Sequence, residues 1–498
     1  MKELRELVSI VQKDKIKNIN ILDLKGSADT KVVDLYLALV EEKVQTDADA
    51  RALFGRKDQS PGALSNVKRR LREQLINTLF FIDVKKSKFT DRQQAYFETQ
   101  RLFAAVNLLL FRDAQINADW LLKKILKQAQ KYEFNDLVLE VARKQRLRFC
   151  TKQPDPKRFL EMDELCKEAE KTAVWIALAE RHFTHLCSAE NAYLRKDRVR
   201  LKGLSEKYWR DLKEAFEENS NIDFHKYAIN IRLFRHTIFN DFDSCVSICK
   251  EEIELFKEKP YAASAILFSC YYHLMADCLQ RGDFTEGKTI AEQAEAFVEA
   301  GGFNWFLLRE LLFFQAMLSG NYQEGYQIYL EAINHVGFAK LHKQLRASWS
   351  MYRAYLLFLV KKNLLQPVAG DSGFSAFDTK KFRQETRQAL LKKAEVKLAA
   401  VIIQLLFAAM ENDLEFFTDY AANIRRMLSR HQLIQDDARR PRLFIDLLLL
   451  TPLKSHDLPK YELQTARLFT ELQKSSRANE NPAYKLEVIP FEVLWGLI

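Results

Sequence analysis

The stretch Gly282-Asp-Phe-Thr-Glu-Gly287-Lys288-Thr289 satisfies the pattern G-x-x-x-x-G-K-[ST] letter for letter. In that pattern the backbone amides of a glycine loop cradle phosphate at a helix start, the lysine reaches the terminal phosphates and the hydroxyl holds magnesium. The chemistry requires a strand that feeds the loop. Here the preceding segment, YYHLMADCLQR, has the apolar spacing of a helix and no run of β-branched residues. No strand ending in an acidic residue can be read along the chain to share the metal. Nucleotide chemistry is therefore not expected, and both glycines need another explanation.

The other groupings point the same way. His182 and His185 are three residues apart, so they can share a helix face, and Cys187 and Glu190 follow closely. A structural zinc site wants four ligands at short, closed spacing, and nothing nearby completes the set. Cys245 and Cys249, four apart, read as two buried thiols rather than a chelating pair. The seven cysteines contain no C-x-x-C pair, which fits a reducing cytoplasm. Neither G-x-S-x-G nor H-E-x-x-H occurs. The expectation is a protein that is not an enzyme, with no catalytic residue, no metal and no cofactor.

The elements that carry these residues explain the glycines. An apolar helix ends at Gly282-Asp283-Phe284 and another at Gly320-Asn321-Tyr322, and Gly282–Gly320, Phe284–Tyr322 and Gly287–Gly325 are each 38 residues apart. One helix pair per fixed period is the mark of a stacked helical repeat. The glycine supplies a left-handed turn between helices. Related turns fall at Asn240-Asp241-Phe242, Asn363-Leu364 and Asp413-Leu414, a drifting period of roughly 40 residues. This stretch, above all 225–365, resembles the tetratricopeptide-like (TPR-like) superfamily, with units longer than the standard repeat. The resemblance implies an all-α fold, a right-handed α-solenoid of helical hairpins that binds another macromolecule on its curved surface. Trp305, Trp349, Arg309, Arg346 and Arg353 lie on what would be the first helices of successive repeats, which line the concave side. Aromatic and arginine side chains there make anchors for a peptide or helical segment of a partner, and the alternative for aromatics at helical spacing is inter-helix packing.

Residues 1–92 read as a separate helical module. Its first helix runs to about Lys15, followed by the apolar piece Ile19-Asn-Ile-Leu22, and Ser27 or Asp29 opens a helix through Val40. Thr46-Asp-Ala-Asp49 has the form of a capping box and Ser60-Pro61 that of a second helix start. The helix that follows sets Leu64, Val67, Leu71, Leu75 and Leu79 on one face, with Lys68, Arg69, Arg70 and Arg72 turned away from it. Two short helices joined by a turn, the second with a basic outer face, can form a helix-turn-helix or an ordinary helical cap with a solvated basic face. The stretch LFG…LSNVKRRLREQL resembles regulators of the bacterial transcriptional-activator class. That resemblance implies a DNA contact through those four cations, which keeps nucleic acid as a second partner class.

The remaining chain divides by composition into degenerate helical repeats at 93–224, the TPR-like stretch at 225–365, an inserted loop at 366–378, helices resuming at Thr379 over 379–477, and an apolar tail at 478–498. With 498 residues, 48% of them hydrophobic and only 14 glycines and 10 prolines, the chain suits long helices with short connections. A net charge of +10 fits an acidic partner or nucleic acid. The N-terminus is charged and amphipathic, not a secretory signal, and the longest apolar runs fall short of the ~20 residues of a membrane span, so a cytoplasmic protein with no membrane partner is expected. The tail carries eight large apolar side chains within 488–498, among them Phe491, Leu494 and Trp495. It should dock on its own last hairpins or on a partner.

Overall fold

In the computed structural model the residues described are 30–54, 61–83, 89–193, 198–237, 241–368, 394–430, 439–452, 457–475 and 487–498. They are all-α, with no strand among them. The helices are α1 (Thr30–Val40), α2 (Asp47–Ala52), α3 (Pro61–Leu79), α4 (Asp91–Phe111), α5 (Gln115–Lys131), α6 (Asn135–Cys150), α7 (Pro156–Tyr193), α8 (Arg198–Glu218), α9 (Ile222–Thr237) and α10 (Phe242–Lys257). There follow α11 (Ser264–Arg281), α12 (Phe284–Glu295), α13 (Phe303–Leu318), α14 (Tyr322–Asn334), α15 (Lys343–Lys361), α16 (Ala394–Glu411), α17 (Leu414–Arg430), α18 (Arg439–Leu448), α19 (Leu458–Lys474) and α20 (Phe491–Gly496). The chain forms two compact units, Met1–Lys171 and Thr172–Ile498, a division that falls within α7. The readings of a helix to Lys15, the piece 19–22, the start at Ser27 or Asp29, the cap Ser60, Asn240, most of the 366–378 loop and Thr379 lie outside the described residues.

One turn recurs along the chain. Asp113, Glu133, Gly282, Gly320, Asn363 and Asn412 each follow a helix in the left-handed region, with φ of 56°, 57°, 77°, 81°, 58° and 51°. The next residue's amide then closes on the carbonyl five positions back: Ala114 on Leu109, Phe134 on Ala129, Asp283 on Cys278, Asn321 on Ala316, Leu364 on Leu359 and Asp413 on Ala408. This is the Schellman closure, which satisfies the last carbonyls of one helix, and at all of these turns but Asn363 the next helix starts within two residues. The expected hydrophobic turn positions Phe242, Phe284, Tyr322 and Leu414 are the first residues of α10, α12, α14 and α17, while Leu364 ends in coil.

In the first unit Thr46 caps α2 with the anticipated capping box: its hydroxyl accepts from Asp49 N–H while Asp49 accepts from Thr46 N–H at 2.8 Å. Val32, Leu35, Ala50, Phe54, Leu64, Val67 and Leu71 form its small core. The predicted stripe on α3 is buried only over its first three members. Leu75 and Leu79 are exposed, Leu79 by 61%, because the cluster formed with residues of α1 and α2 takes in α3 only as far as Leu71. Further along, α5 packs against both α4 and α6.

The second unit is built around helices with most of their length buried. Along α13 twelve residues from Trp305 to Leu318 are buried, and α11, α15 and α16 are nearly as enclosed. Phe313 stacks on Tyr352 across α13 and α15 with centroids 5.0 Å apart, and Phe358 meets Phe407 across α15 and α16 at 6.2 Å. The amphipathic helices α10, α12 and α14 lie outside, each packed on its neighbours in sequence. No helix among the described residues is long and apolar enough to cross a membrane.

Candidate interaction surfaces

The phosphate-loop look-alike is a helical hairpin. Gly282 is the left-handed C-cap of α11, and Asp283 caps α12 by accepting from Glu286 N–H at 3.0 Å. Gly287 lies where α12 touches its neighbours: a Cβ there would stand 2.9 Å from Gln315 Oε1 and 3.4 Å from Cys278 Cβ. Gly325, one period on, meets Met317 Sδ in the same manner at 3.0 Å. Lys288 points to solvent and the Thr289 hydroxyl donates back to Thr285 O. Turn geometry and close helix packing thus account for both glycines. Lys288→Ala is expected to leave urea-unfolding stability within about 0.5 kcal/mol of the parent, whereas Gly287→Val costs about 1–3 kcal/mol by overpacking. Saturable ATP binding that disappears in Lys288→Ala would refute this reading.

The histidine and cysteine groupings are packing features. His182 and His185 share a face of α7 and both meet Tyr208 of α8: the His182 ring stacks on it at 4.1 Å, and His185 Nδ1 bonds its hydroxyl. His182 Nε2 lies 3.1 Å from Asp211 Oδ2. Burial lowers the His182 pKa, and Asp211 only partly opposes this. Cys245, Cys249, Cys270 and Cys278 are all buried. Burial pushes the thiols of Cys245 and Cys278 up to about 12, and the Cys249 thiol is raised by its bond to Cys270 and by burial. No group of three or more metal-binding side chains occurs among the described residues.

The residues expected to line a peptide groove separate. Trp305 and Trp349 are core, 3% and 1% exposed. Arg309 is buried with them: its guanidinium lies over Trp305 at 4.6 Å, donates to both Glu295 oxygens at 2.7 and 3.0 Å, and places Nε 2.9 Å from Glu331. Buried within α13 and α15, these three are not available to anchor an incoming segment. Arg346 is exposed and Arg353 half-buried on α15. In the tail, Phe491 and Leu494 are fully buried, with Phe444 and Phe491 stacked at 4.4 Å, and Trp495 is half-buried. The described tail therefore docks on its own chain.

Of the four cations on α3, Lys68 pairs with Asp47 at 2.7 Å and Arg69 with Glu73 at 2.8 Å, while Arg70 and Arg72 are exposed. Beside them, between α1 and α3, runs a groove of about 720 Å³ lined by Leu35, Leu39, Leu71, Leu75, Ile76 and Leu79, with Arg72 and the Lys68–Asp47 pair also on its wall. Sequence reasoning missed this groove. The apolar run Leu79-Phe-Phe-Ile82, which continues past the end of α3 at Leu79, holds two of its lining residues, Leu79 and Ile82. Compared with protein-family models, with curated proteins and with solved structures, the chain matches none.

Proposed function

We propose that the protein is a non-catalytic interaction scaffold that holds a helical segment of another protein. The observation that carries this reading is the α1–α3 groove: an apolar trough, open to solvent, with cations on its wall. An amphipathic helix laid in such a groove buries its apolar face and leaves its polar flank to the rim. The hairpins of 225–365 serve as a rigid TPR-like body, a right-handed α-solenoid in this reading. Their shared left-handed turns and the packing glycines at 287 and 325 support it.

The test is co-purification from cells with the full chain and with Leu79→Glu. Leu79 is exposed, so the variant is expected to melt as the parent does and to lose a specific co-purifying chain. The same set of chains retained by both would remove the groove from the proposal. A second reading, a transcriptional regulator contacting duplex DNA, is favoured by the exposure of Lys68, Arg69, Arg70 and Arg72 along α3. Duplex affinity that drops and loses salt dependence in Arg69→Ala/Arg72→Ala would establish it over the first, and unchanged affinity would discard it.

A further inference from the structure

A second surface in the first unit lies on α5. This helix turns Asn117, Ala118, Leu121, Leu122, Ile125 and Ala129 into the core. Its opposite face carries Ile116, Trp120, Lys123, Lys124, Lys127 and Lys131, all exposed, spaced so that they form one line along the helix. Trp120 is 57% exposed, an unusual cost to leave in water for a side chain of that size. Lys124 Nζ sits 5.6 Å from the indole centre.

The lysines stand apart from the other cations nearby. On and just after α6, Arg143 pairs with Glu170 at 2.9 Å, Arg146 with Asp163 at 2.9 Å, Arg148 with Asp119 and Lys152 with Asp113 at 2.7 Å. Asp119 is the one acid on α5, and Arg148 occupies it. Lys123, Lys124, Lys127 and Lys131 meet no carboxylate among the described residues. Four uncompensated charges on one face repel each other, and an anionic occupant would relieve that.

We propose that this face binds single-stranded nucleic acid, an anionic backbone with a base stacked on Trp120. Lys123, Lys127 and Lys131 recur about every 6 Å along the axis, four residues at the helical rise. That is of the order of the distance between successive phosphates in an extended strand. Lysine suits this role as a point charge, whereas the carboxylates of a folded protein are better met by the fork of arginine. An exposed indole offers a stacking platform to any base. A duplex groove is not served, since α4 and α6 flank α5 and prevent its entry. A membrane is not served either, because the apolar side of α5 is used in the core. This proposal stands apart from the α1–α3 groove and does not depend on it.

Fluorescence anisotropy of the full chain with labelled 20-mers of oligo(dT) and oligo(U) tests it across a salt series. Saturable binding is expected, with log K falling against log salt at a slope of about −3 for four phosphate contacts on a single strand. Lys123→Gln/Lys124→Gln/Lys127→Gln/Lys131→Gln should bring the slope close to zero and weaken binding at least tenfold at low salt. Trp120→Ala should weaken binding by about five- to a hundredfold with the slope unchanged. All five side chains are exposed, so unchanged melting separates these effects from unfolding. Tighter oligo(U) than oligo(dT) binding would identify RNA as the natural strand, the reverse DNA, and either result sustains the proposal. It is overturned by no binding of either strand, by binding untouched in the quadruple variant, by equal binding of a poly-glutamate 20-mer, or by phosphatidylserine vesicles being the only ligand the quadruple variant loses.

Discussion

Arg440→Met is expected to destabilise the C-terminal part of the second unit by about 3–5 kcal/mol, the cost of leaving one partner of a buried ion pair behind. Arg440, at the start of α18, is 3% exposed, and Glu487, which leads the tail, is 0% exposed. The guanidinium donates to both Glu487 oxygens, at 3.0 and 2.8 Å, and to both Glu492 oxygens at 2.9 Å. Its Nη1 also reaches the carbonyls of Leu472 and Ser475 at the end of α19, at 2.9 and 2.8 Å. Desolvation opposes the charged arginine, but the two carboxylates outweigh it and raise the Arg440 pKa overall. One side chain thus ties α18, the end of α19 and the tail together. Its removal strips Glu487 of both arginine bonds while the Phe491 amide still donates to it at 3.1 Å.

The measurement is hydrogen exchange of the α20 amides together with urea unfolding. Exchange at 491–496 should accelerate sharply in Arg440→Met. Arg440→Met/Glu487→Leu should recover much of the loss, because a buried ion pair replaced by apolar groups of like volume is often neutral. A single variant as stable as the parent, or a double variant no better than the single, would show that packing of Phe491 and Leu494 alone holds the tail. Removing residues 487–498 should lower the melting temperature for the same reason.

How far the sequence carries this picture depends on which residues bear the information. Helix starts were legible where a cap or proline announces them, as at Thr46 and Pro61, and where the 38-residue period repeats a glycine. The turns at Asp113 and Glu133 share the geometry of Gly282 yet place a charged residue in the left-handed region, so no composition signal betrays them. The direction each helix faces was harder to read. Apolar spacing says that Trp305 and Trp349 need neighbours but not that neighbours come from every side, and so an expected groove became core. The reverse held on α3, where Leu75 and Leu79 continue an apolar stripe past the helices that cover it. Tail docking followed from apolar area. Arg440, one of three arginines in the first turn of α18, gave no hint of the carboxylates that reach it from 47 and 52 residues away.

The other large effect expected is at Gly301. Gly301→Ala should cost about 2–4 kcal/mol, the sum of a left-handed backbone forced on a side chain and an overpacked contact. Gly301 has φ +76°, and a Cβ there would fall 1.9 Å from His335 Cε1. His335 cannot simply swing aside: its Nδ1 accepts from Gly337 N–H at 3.0 Å and its ring packs 5.0 Å from Trp305. Gly337 closes the same knot, since a Cβ on it would lie 2.5 Å from the carbonyl oxygen of Gly301. Gly282 provides the internal comparison, with φ +77° and no atom within 4 Å of the position its Cβ would take. Gly282→Ala should therefore cost only the backbone part, about 1 kcal/mol. In a His335→Ala background Gly301→Ala should fall toward that same value, because the obstructing ring is gone. Urea unfolding of the four variants measures the coupling directly. If Gly301→Ala costs no more than Gly282→Ala in the parent, the contact between the loop before α13 and the turn after α14 contributes nothing. If instead the excess persists without the His335 ring, the strain lies in the backbone approach of Gly337 to Gly301 rather than in the side chain.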